Sequence, residues 1–205
     1  MSIEGKFNLG KIISFKGIKK GIENTNYLIR TKNNKYILTI FEKRVQKKDL
    51  PFFMSLMDKL NNHKINCPKP QKNKKGNYLV NIKNKPASIV SFVEGKEKNK
   101  LKIQDCYEIG KNIAKLHMAS KKIKLYRKNS MSLSSWPKLL NKIGNKSNKI
   151  DINLNNLMKT SLRDIKKRWP RKLSSGIIHG DLFIDNIFFK NNKFYGYIDF
   201  YFSSN

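Results

Sequence analysis

The chain has 205 residues, 39% of them hydrophobic and 11% aromatic, with 44 basic against 14 acidic side chains and a formal net charge of +30. That apolar content excludes a disordered chain, and no run approaches the roughly 20 apolar residues that cross a bilayer, so no membrane partner is expected. The charge alone invites a polyanion, but the lysines are scattered through nearly every segment and no basic stripe alternates with aromatics; a solvated lysine-rich surface is expected, with no nucleic-acid groove.

In chain order, Met1–Gly10 lacks the apolar core of a signal peptide, which points to a cytoplasmic protein. Phe15-Lys16-Gly17-Ile18 is extended, and Gly21-Ile22-Glu23-Asn24-Thr25-Asn26 reads as a polar loop before the next strand. Tyr27–Thr31 and Tyr36–Phe41 flank turn residues 32–35 and predict a hairpin. Asp49 predicts a helix N-cap with Pro51 in the first turn, and Phe52, Phe53, Leu56, Met57 and Leu60 predict one buried face. Cys67-Pro68-Lys69-Pro70 breaks that pattern. Cys67 and Cys106 have no metal-ligand spacing and read as reduced thiols. A second hairpin runs from residues 78–80 to 87–92, turning near Lys83-Asn84.

Val93-Glu94-Gly95 and the polar run to Lys100 read as a lobe boundary. Ile103, Cys106, Tyr107, Gly110, Ile113, Ala114 and His117 then recur at helical spacing and predict a buried face with His117 satisfied within it. Leu154, Leu157, Met158, Ser161, Leu162, Ile165 and Trp169 predict a further helix, ended by Pro170. Extended pieces follow at 176–178, 186–189 and 194–200, with Asn191-Asn192 turning between the last two. The order is a β-rich lobe over residues 1–92 with one helix, then a mainly helical lobe over 93–205 carrying a β-hairpin. This predicts an α+β, bilobal, protein-kinase-like fold with a cleft that suits a nucleotide.

His179-Gly180-Asp181-Leu182-Phe183-Ile184-Asp185-Asn186 matches the kinase catalytic-loop pattern H-x-D-L-x-x-x-N, and Asp199-Phe200 follows behind apolar Tyr197-Ile198. Phosphoryl transfer needs a carboxylate to orient the acceptor hydroxyl and take its proton. It also needs oxygen ligands to hold Mg²⁺ on the phosphates. Asp181 is the expected base, and Asn186 and Asp199 are the expected metal ligands. His179 is expected to pack under the loop and hydrogen-bond backbone, and Asp185 to cap the loop or face water. The 21–26 turn can offer backbone N–H groups to phosphate, although its one glycine by itself indicates only a hairpin turn.

These residues resemble the aminoglycoside phosphotransferase-like kinases, and within them the homoserine kinases that use this fold. The resemblance rests on Phe15–Ile18, Gly21–Tyr27, Leu38–Arg44, Asp49–Phe53, His179–Phe189 and Ile198–Phe202. It implies ATP and Mg²⁺ as cofactors and L-homoserine as the small-molecule substrate, phosphorylated to O-phospho-L-homoserine on the way to threonine. By the same resemblance adenine meets backbone from Ser91 to Val93, and the phosphates lie under Gly21, Asn24, Thr25 and Asn26. Such kinases carry a lysine on the third strand, where this chain has Thr39; Lys43, which shares the parity of Thr39, or Arg44 is expected to supply the charge. They also continue for several helices past the metal aspartate, so a C-terminally truncated chain is expected. A pseudokinase or inert fragment, which keeps the lobe but turns nothing over, stays open, and so do two other readings. One is another small-molecule kinase, for choline, methylthioribose or an aminoglycoside, although 14 acidic residues are few for an aminoglycoside pocket. The other is a basic nucleic-acid-binding protein.

Overall fold

Runs of β-branched and aromatic residues form five antiparallel strands: β1 (Ile12–Ile18), β2 (Asn24–Thr31), β3 (Lys35–Phe41), β4 (Leu79–Ile82) and β5 (Lys85–Ser91), in spatial order β1-β2-β3-β5-β4. The structure is a computed structural model that describes residues 3–19, 24–42, 45–170 and 172–205. The expectations for Gly21, Lys43 and Arg44 fall outside those residues. Both predicted hairpins form, and the second turns through Lys83 and Asn84 at φ 47° and 61°. One prediction is corrected: Asn24–Asn26 is strand, paired with Thr39–Phe41, because ladder pairing overrides its polar composition.

The two faces of this sheet part company by parity. Ile29, Leu38, Ala87 and Ile89 bury one face with Phe7 and Leu9, next to the short helix α1 (Ile3–Lys6). Ile37, Thr39 and Phe41 point the other way, and register puts Thr39 opposite Ser88 and Ile37 opposite Val90 on that face. Helix α2 (Leu50–Asn62) buries Phe53, Met54, Leu56, Met57 and Leu60 into the core that contains Phe41 and Val90. Each such side chain contributes about 1.5–3 kcal/mol. Asp49 precedes α2 as predicted but makes no side-chain cap; its carboxylate accepts Arg127 Nε at 2.8 Å instead.

Helix α3 (Ile103–Ser120) forms where predicted, but on a different face. Ile103 and Tyr107 are 92% and 65% exposed and His117 is exposed, whereas Ile109 and Leu116 are buried. Asp105 joins the buried side because Lys98 neutralises it at 2.7 Å and its other oxygen accepts the Lys102 N–H. The sequence offers two apolar stripes here, and an ion pair invisible to periodicity decides between them. Cys67 is a buried free thiol and Cys106 an exposed one.

By contacts the chain divides into two compact units, Met1–Arg127 with Gly176–Ser204, and Lys128–Ser175. The boundary expected at Val93 follows β5 inside the first unit. That unit also holds the hairpin of β6 (Ile187–Lys190) and β7 (Lys193–Tyr197), which turns through Asn191 and Asn192 at φ 51° and 60°. The second unit holds α4 (Trp136–Ile143), which the sequence reading missed, and α5 (Leu154–Arg168). Leu157, Met158, Leu162 and Ile165 of the predicted α5 face line an apolar groove with Leu139 and Ile143 of α4. Among the described residues no helix is long and apolar enough to cross a membrane.

Candidate active site

The loop at 179–186 is held from beneath by its histidine. His179 is buried, and its Nε2–H donates to the Ile198 carbonyl at 2.8 Å while Nδ1 accepts the Asp181 N–H at 3.4 Å. These two contacts assign the tautomer. Burial holds the imidazole below its ordinary value, against the opposing pull of the Ile198 carbonyl and the Asp181 carboxylate, so His179 is neutral. It therefore ties the loop to the strand end that carries Asp199, the backbone role expected of it.

Gly180 has φ +86°, and a Cβ there would lie 2.5 Å from the Phe202 carbonyl oxygen, so no side chain fits between the two segments. Ser203 Oγ donates to the His179 carbonyl at 3.1 Å, and Ile178 N–H donates to Ser204 O at 2.9 Å. Residues 178–180 and 202–204 are thereby laced together. Arg127 adds a donor to Ser203 O at 3.1 Å and stands over the Phe53 ring at 5.0 Å, so the segment after Asp199 is also tied to α2.

Asn186 is buried in the turn ahead of β6, and its N–H donates to Phe183 O at 3.0 Å. Its side-chain amide donates to the Asp181 carbonyl at 2.8 Å and reaches Asp181 Oδ2 at 3.4 Å. With Nδ2 turned to Asp181, Oδ1 is left as the oxygen that can meet a cation. The Asn186 carbonyl accepts Ile198 N–H at 3.0 Å, which brings Asp199 to the same place. Asp199 takes φ +60° and is exposed; the left-handed conformation is uncommon outside glycine and clusters at functional sites.

Asn186 and Asp199 line a cleft of about 360 Å³ under the face of the five-stranded sheet that carries Ile37 and Thr39. Of the residues the sequence singled out, Asn26, Thr39, Ser91 and Val93 also line it, with Ile37, Val90 and Ile198 as apolar walls. Asn24 and Thr25 do not. The Asn24 side chain accepts Glu42 N–H at 3.3 Å, Thr25 Oγ1 donates to Glu42 Oε1 at 2.9 Å, and Lys85 pairs with the other Glu42 oxygen. Asp181 is not among the lining residues and is joined to the cleft only through its contacts with Asn186. Thr39 faces the cleft as parity required, and its hydroxyl is already engaged, donating to Asn26 Oδ1 at 2.8 Å. The Ser91 and Phe92 N–H groups donate to Lys69 O at 2.8 Å and Lys35 O at 3.0 Å, so neither is open to a ligand.

Glu97, Asp185 and Tyr201 also line the cleft without having been assigned to it. Asp185 was expected to cap the loop or face water, Tyr201 stands in the Ile198–Phe202 stretch but was given no role, and Glu97 stands in no motif. Burial, and after it the Asp199 charge, pushes the Tyr201 phenol well above its ordinary value, so it stays a neutral hydroxyl.

No cluster of three or more His, Cys, Asp or Glu side chains suited to a metal occurs among the described residues. A cation held by one carboxylate and one amide oxygen needs further oxygens from a bound phosphate. That is the way a hard divalent ion such as Mg²⁺ sits in phosphoryl-transfer sites, so Asp199 and Asn186 fit one.

Residues 14–205 match the phosphotransferase enzyme family. The chain is similar to a homoserine kinase of Methylocella silvestris, 40% identical over 197 residues, which covers 96% of this chain and 61% of that protein. The chain thus spans about 61% of the length of that relative. Among solved structures it is similar to a spectinomycin phosphotransferase in complex with ADP and spectinomycin, with TM-score 0.69, 14% identity, and coverage of 97% of this chain and 66% of that one. It is also similar to an amicoumacin kinase in complex with AMP-PNP and Ca²⁺, with TM-score 0.67, 13% identity, and coverage of 100% and 60%. These structural likenesses show the protein-kinase-like fold.

Proposed function

The chain belongs to the phosphotransferase enzyme family, and on that premise we propose that it transfers the γ-phosphate of ATP to the hydroxyl of L-homoserine, giving O-phospho-L-homoserine. The observation that supports this most is the likeness to a homoserine kinase along nearly the whole chain. The cleft's chemistry agrees with it. Asp181 is the base that orients the acceptor hydroxyl and takes its proton. Asn186 holds that carboxylate by its amide and offers Oδ1 to the metal, and Asp199 offers a charged oxygen. Mg²⁺ when bound supplies charge neutralisation on the phosphates.

Ile37, Val90 and Ile198 give the adenine an apolar slot. Since the N–H groups of Ser91 and Phe92 are engaged, Val93 is the residue of that stretch left to meet the base. Asn26 and Thr39 roof the phosphate end. Thr39 carries no charge, so Lys43, which lies outside the described residues, remains the residue we assign to the phosphates.

ADP release by the full-length gene product, with L-homoserine, choline, methylthioribose and kanamycin each offered as acceptor, tests the reading. Homoserine should be preferred by at least about 100-fold in kcat/KM, since a site built to hydrogen-bond both its ammonium and its carboxylate rejects analogues that leave those groups unpaired. A better rate with any other acceptor would replace the substrate; no acceptor-dependent ADP release would remove the activity.

A further inference from the structure

We propose that Asn66, in the turn after α2, is a positioning residue for the metal end of the cleft: it holds the outer edge of β7 and so fixes where the chain delivers Asp199 relative to Asn186. The inference rests on the reading of those two residues as metal ligands. They stand at the two open ends of the β6–β7 hairpin, Asn186 just before β6 and Asp199 two residues after β7. Whatever fixes the hairpin therefore fixes the separation of the pair.

The two strands are only four and five residues long, and their register shifts between Phe188 and Phe189. A two-stranded hairpin of that length is marginal by itself. Here both outer edges are closed by other segments. On the β6 side, Phe189 N–H donates to Lys96 O at 2.9 Å and Lys96 N–H donates to Phe189 O at 3.1 Å. On the β7 side, Tyr197 N–H donates to Asn66 O at 3.0 Å, and Asn66 Nδ2 donates to Tyr195 O at 2.8 Å. Asn66 thus serves one donor and one acceptor of the same strand edge, using main chain and side chain together.

Alternation along the strand shows what that edge contributes. Tyr197 N–H turns outward to Asn66, and the next one, Ile198 N–H, turns inward to the Asn186 carbonyl at 3.0 Å. The inward bond closes the base of the hairpin one residue before Asp199, and the outward bond holds the residue before that. Asn66 is itself anchored, because its neighbours Ile65 and Cys67 are buried in the core that also contains Tyr197 and Phe189. The approach is close: a Cβ on Gly196, between the two bonded residues, would lie 2.5 Å from the Asn66 carbonyl oxygen. Space is what position 196 requires, and only glycine leaves it. Neither Asn66 nor Gly196 lines the cleft, so both act on it through β7.

Binding of a fluorescent ATP analogue to the full-length gene product is titrated with Mg²⁺ for the parent, Asn66→Ala, Gly196→Ala and Thr31→Val, with melting temperatures alongside. Asn66→Ala removes the bond to Tyr195 O and keeps the main-chain one. Gly196→Ala drives the two segments apart. Thr31→Val is the control for lost stability, since it removes the hydrogen bonds between Thr31 Oγ1 and Asn34 in the β2–β3 turn. A hydrogen-bond partner of a metal ligand typically carries about 10–100-fold in metal affinity, and Asn66 stands one step further out, so its loss should raise the Mg²⁺ requirement about 3–10-fold. Gly196→Ala should raise it more. Metal-free nucleotide binding should stay like the parent's in both, and Thr31→Val should keep the parent's Mg²⁺ requirement whatever its melting temperature. If Gly196→Ala does not fold, Asn66→Ala decides alone. An Asn66→Ala titration that overlays the parent's overturns the inference and leaves the proposed function standing. So does a rise in Thr31→Val equal to that in Asn66→Ala. Nucleotide binding by the parent that ignores Mg²⁺ removes the metal reading and this inference with it.

Discussion

Asn186 donates its side-chain amide to the Asp181 carbonyl at 2.8 Å and reaches the Asp181 carboxylate at 3.4 Å, so the residue that would hold the cation also fixes the residue that would take the proton. The two functions share one short loop, in which the two residues stand five positions apart. Asn186→Ala should therefore raise the Mg²⁺ requirement and lower kcat together, each by about 10–100-fold. Asp199→Ala should affect the Mg²⁺ requirement more, since it removes a full charge. Mg²⁺ titration of steady-state turnover checks both, and equal curves for the parent and the variants would exclude these residues as ligands.

Gly180→Ala should lower both stability and turnover. A Cβ at φ +86° and 2.5 Å from Phe202 O forces the 178–180 and 202–204 segments apart. About 2 kcal/mol or more of stability should be lost. Thermal melting with parallel kcat measurement tests it. Unchanged melting would mean that the loop moves freely against residues 202–204.

Arg127→Ala removes the ion pair to Asp49 and the bond to Ser203 O while leaving every cleft residue in place. Both partners of the pair are mostly buried, so roughly 2–4 kcal/mol should go. Denaturant titration reads it. Because Asp49 makes no cap of its own, Arg127→Lys should recover only part of the loss: lysine keeps the charge but cannot serve two acceptors in a fixed plane.

The sequence made the loop legible because its chemistry is local: His179, Asp181 and Asn186 sit within eight residues, and both strand pairs that frame the cleft announce themselves by turn residues. What it hid is tertiary. Asp49 looks like a cap until Arg127, 78 residues away, takes its carboxylate. The exposed stripe of α3 looks as apolar as the buried one, and only the Lys98 partner explains why Asp105 goes inside. Helix α4 was legible and went unread: Trp136, Leu139, Leu140 and Ile143 fall at i, i+3, i+4 and i+7 with Pro137 in the first turn, but the period lasts only eight residues between a serine-rich stretch and Gly144. Tyr201 stands in no catalytic pattern, and its place is set by ring contacts with Phe41 and Phe53, which are distant in sequence.

Stability should fall in acid through His179. The unfolded imidazole takes a proton near its ordinary value of 6.5, and burial lowers that value in the folded chain. Below about pH 6.5 the unfolded chain thus binds more protons, and stability falls with pH until the folded value is passed; above it the contribution is flat. Melting temperatures at about pH 7.5 and 5.5 should drop less in His179→Gln than in the parent, although the variant is less stable at both. Equal drops would mean that His179 is not buried in neutral form.

The most direct test of the account is phosphorus NMR of the full-length gene product with ATP, Mg²⁺ and L-homoserine, run beside its Asp181→Asn variant. The parent should convert the γ-phosphate signal into that of a phosphate monoester on homoserine. The variant should bind nucleotide like the parent and form the monoester about 10²–10⁴-fold more slowly, because an amide orients a hydroxyl but takes no proton. Monoester formation by Asp181→Asn at the parent's rate, or its absence from the parent while another acceptor is phosphorylated, would contradict the account.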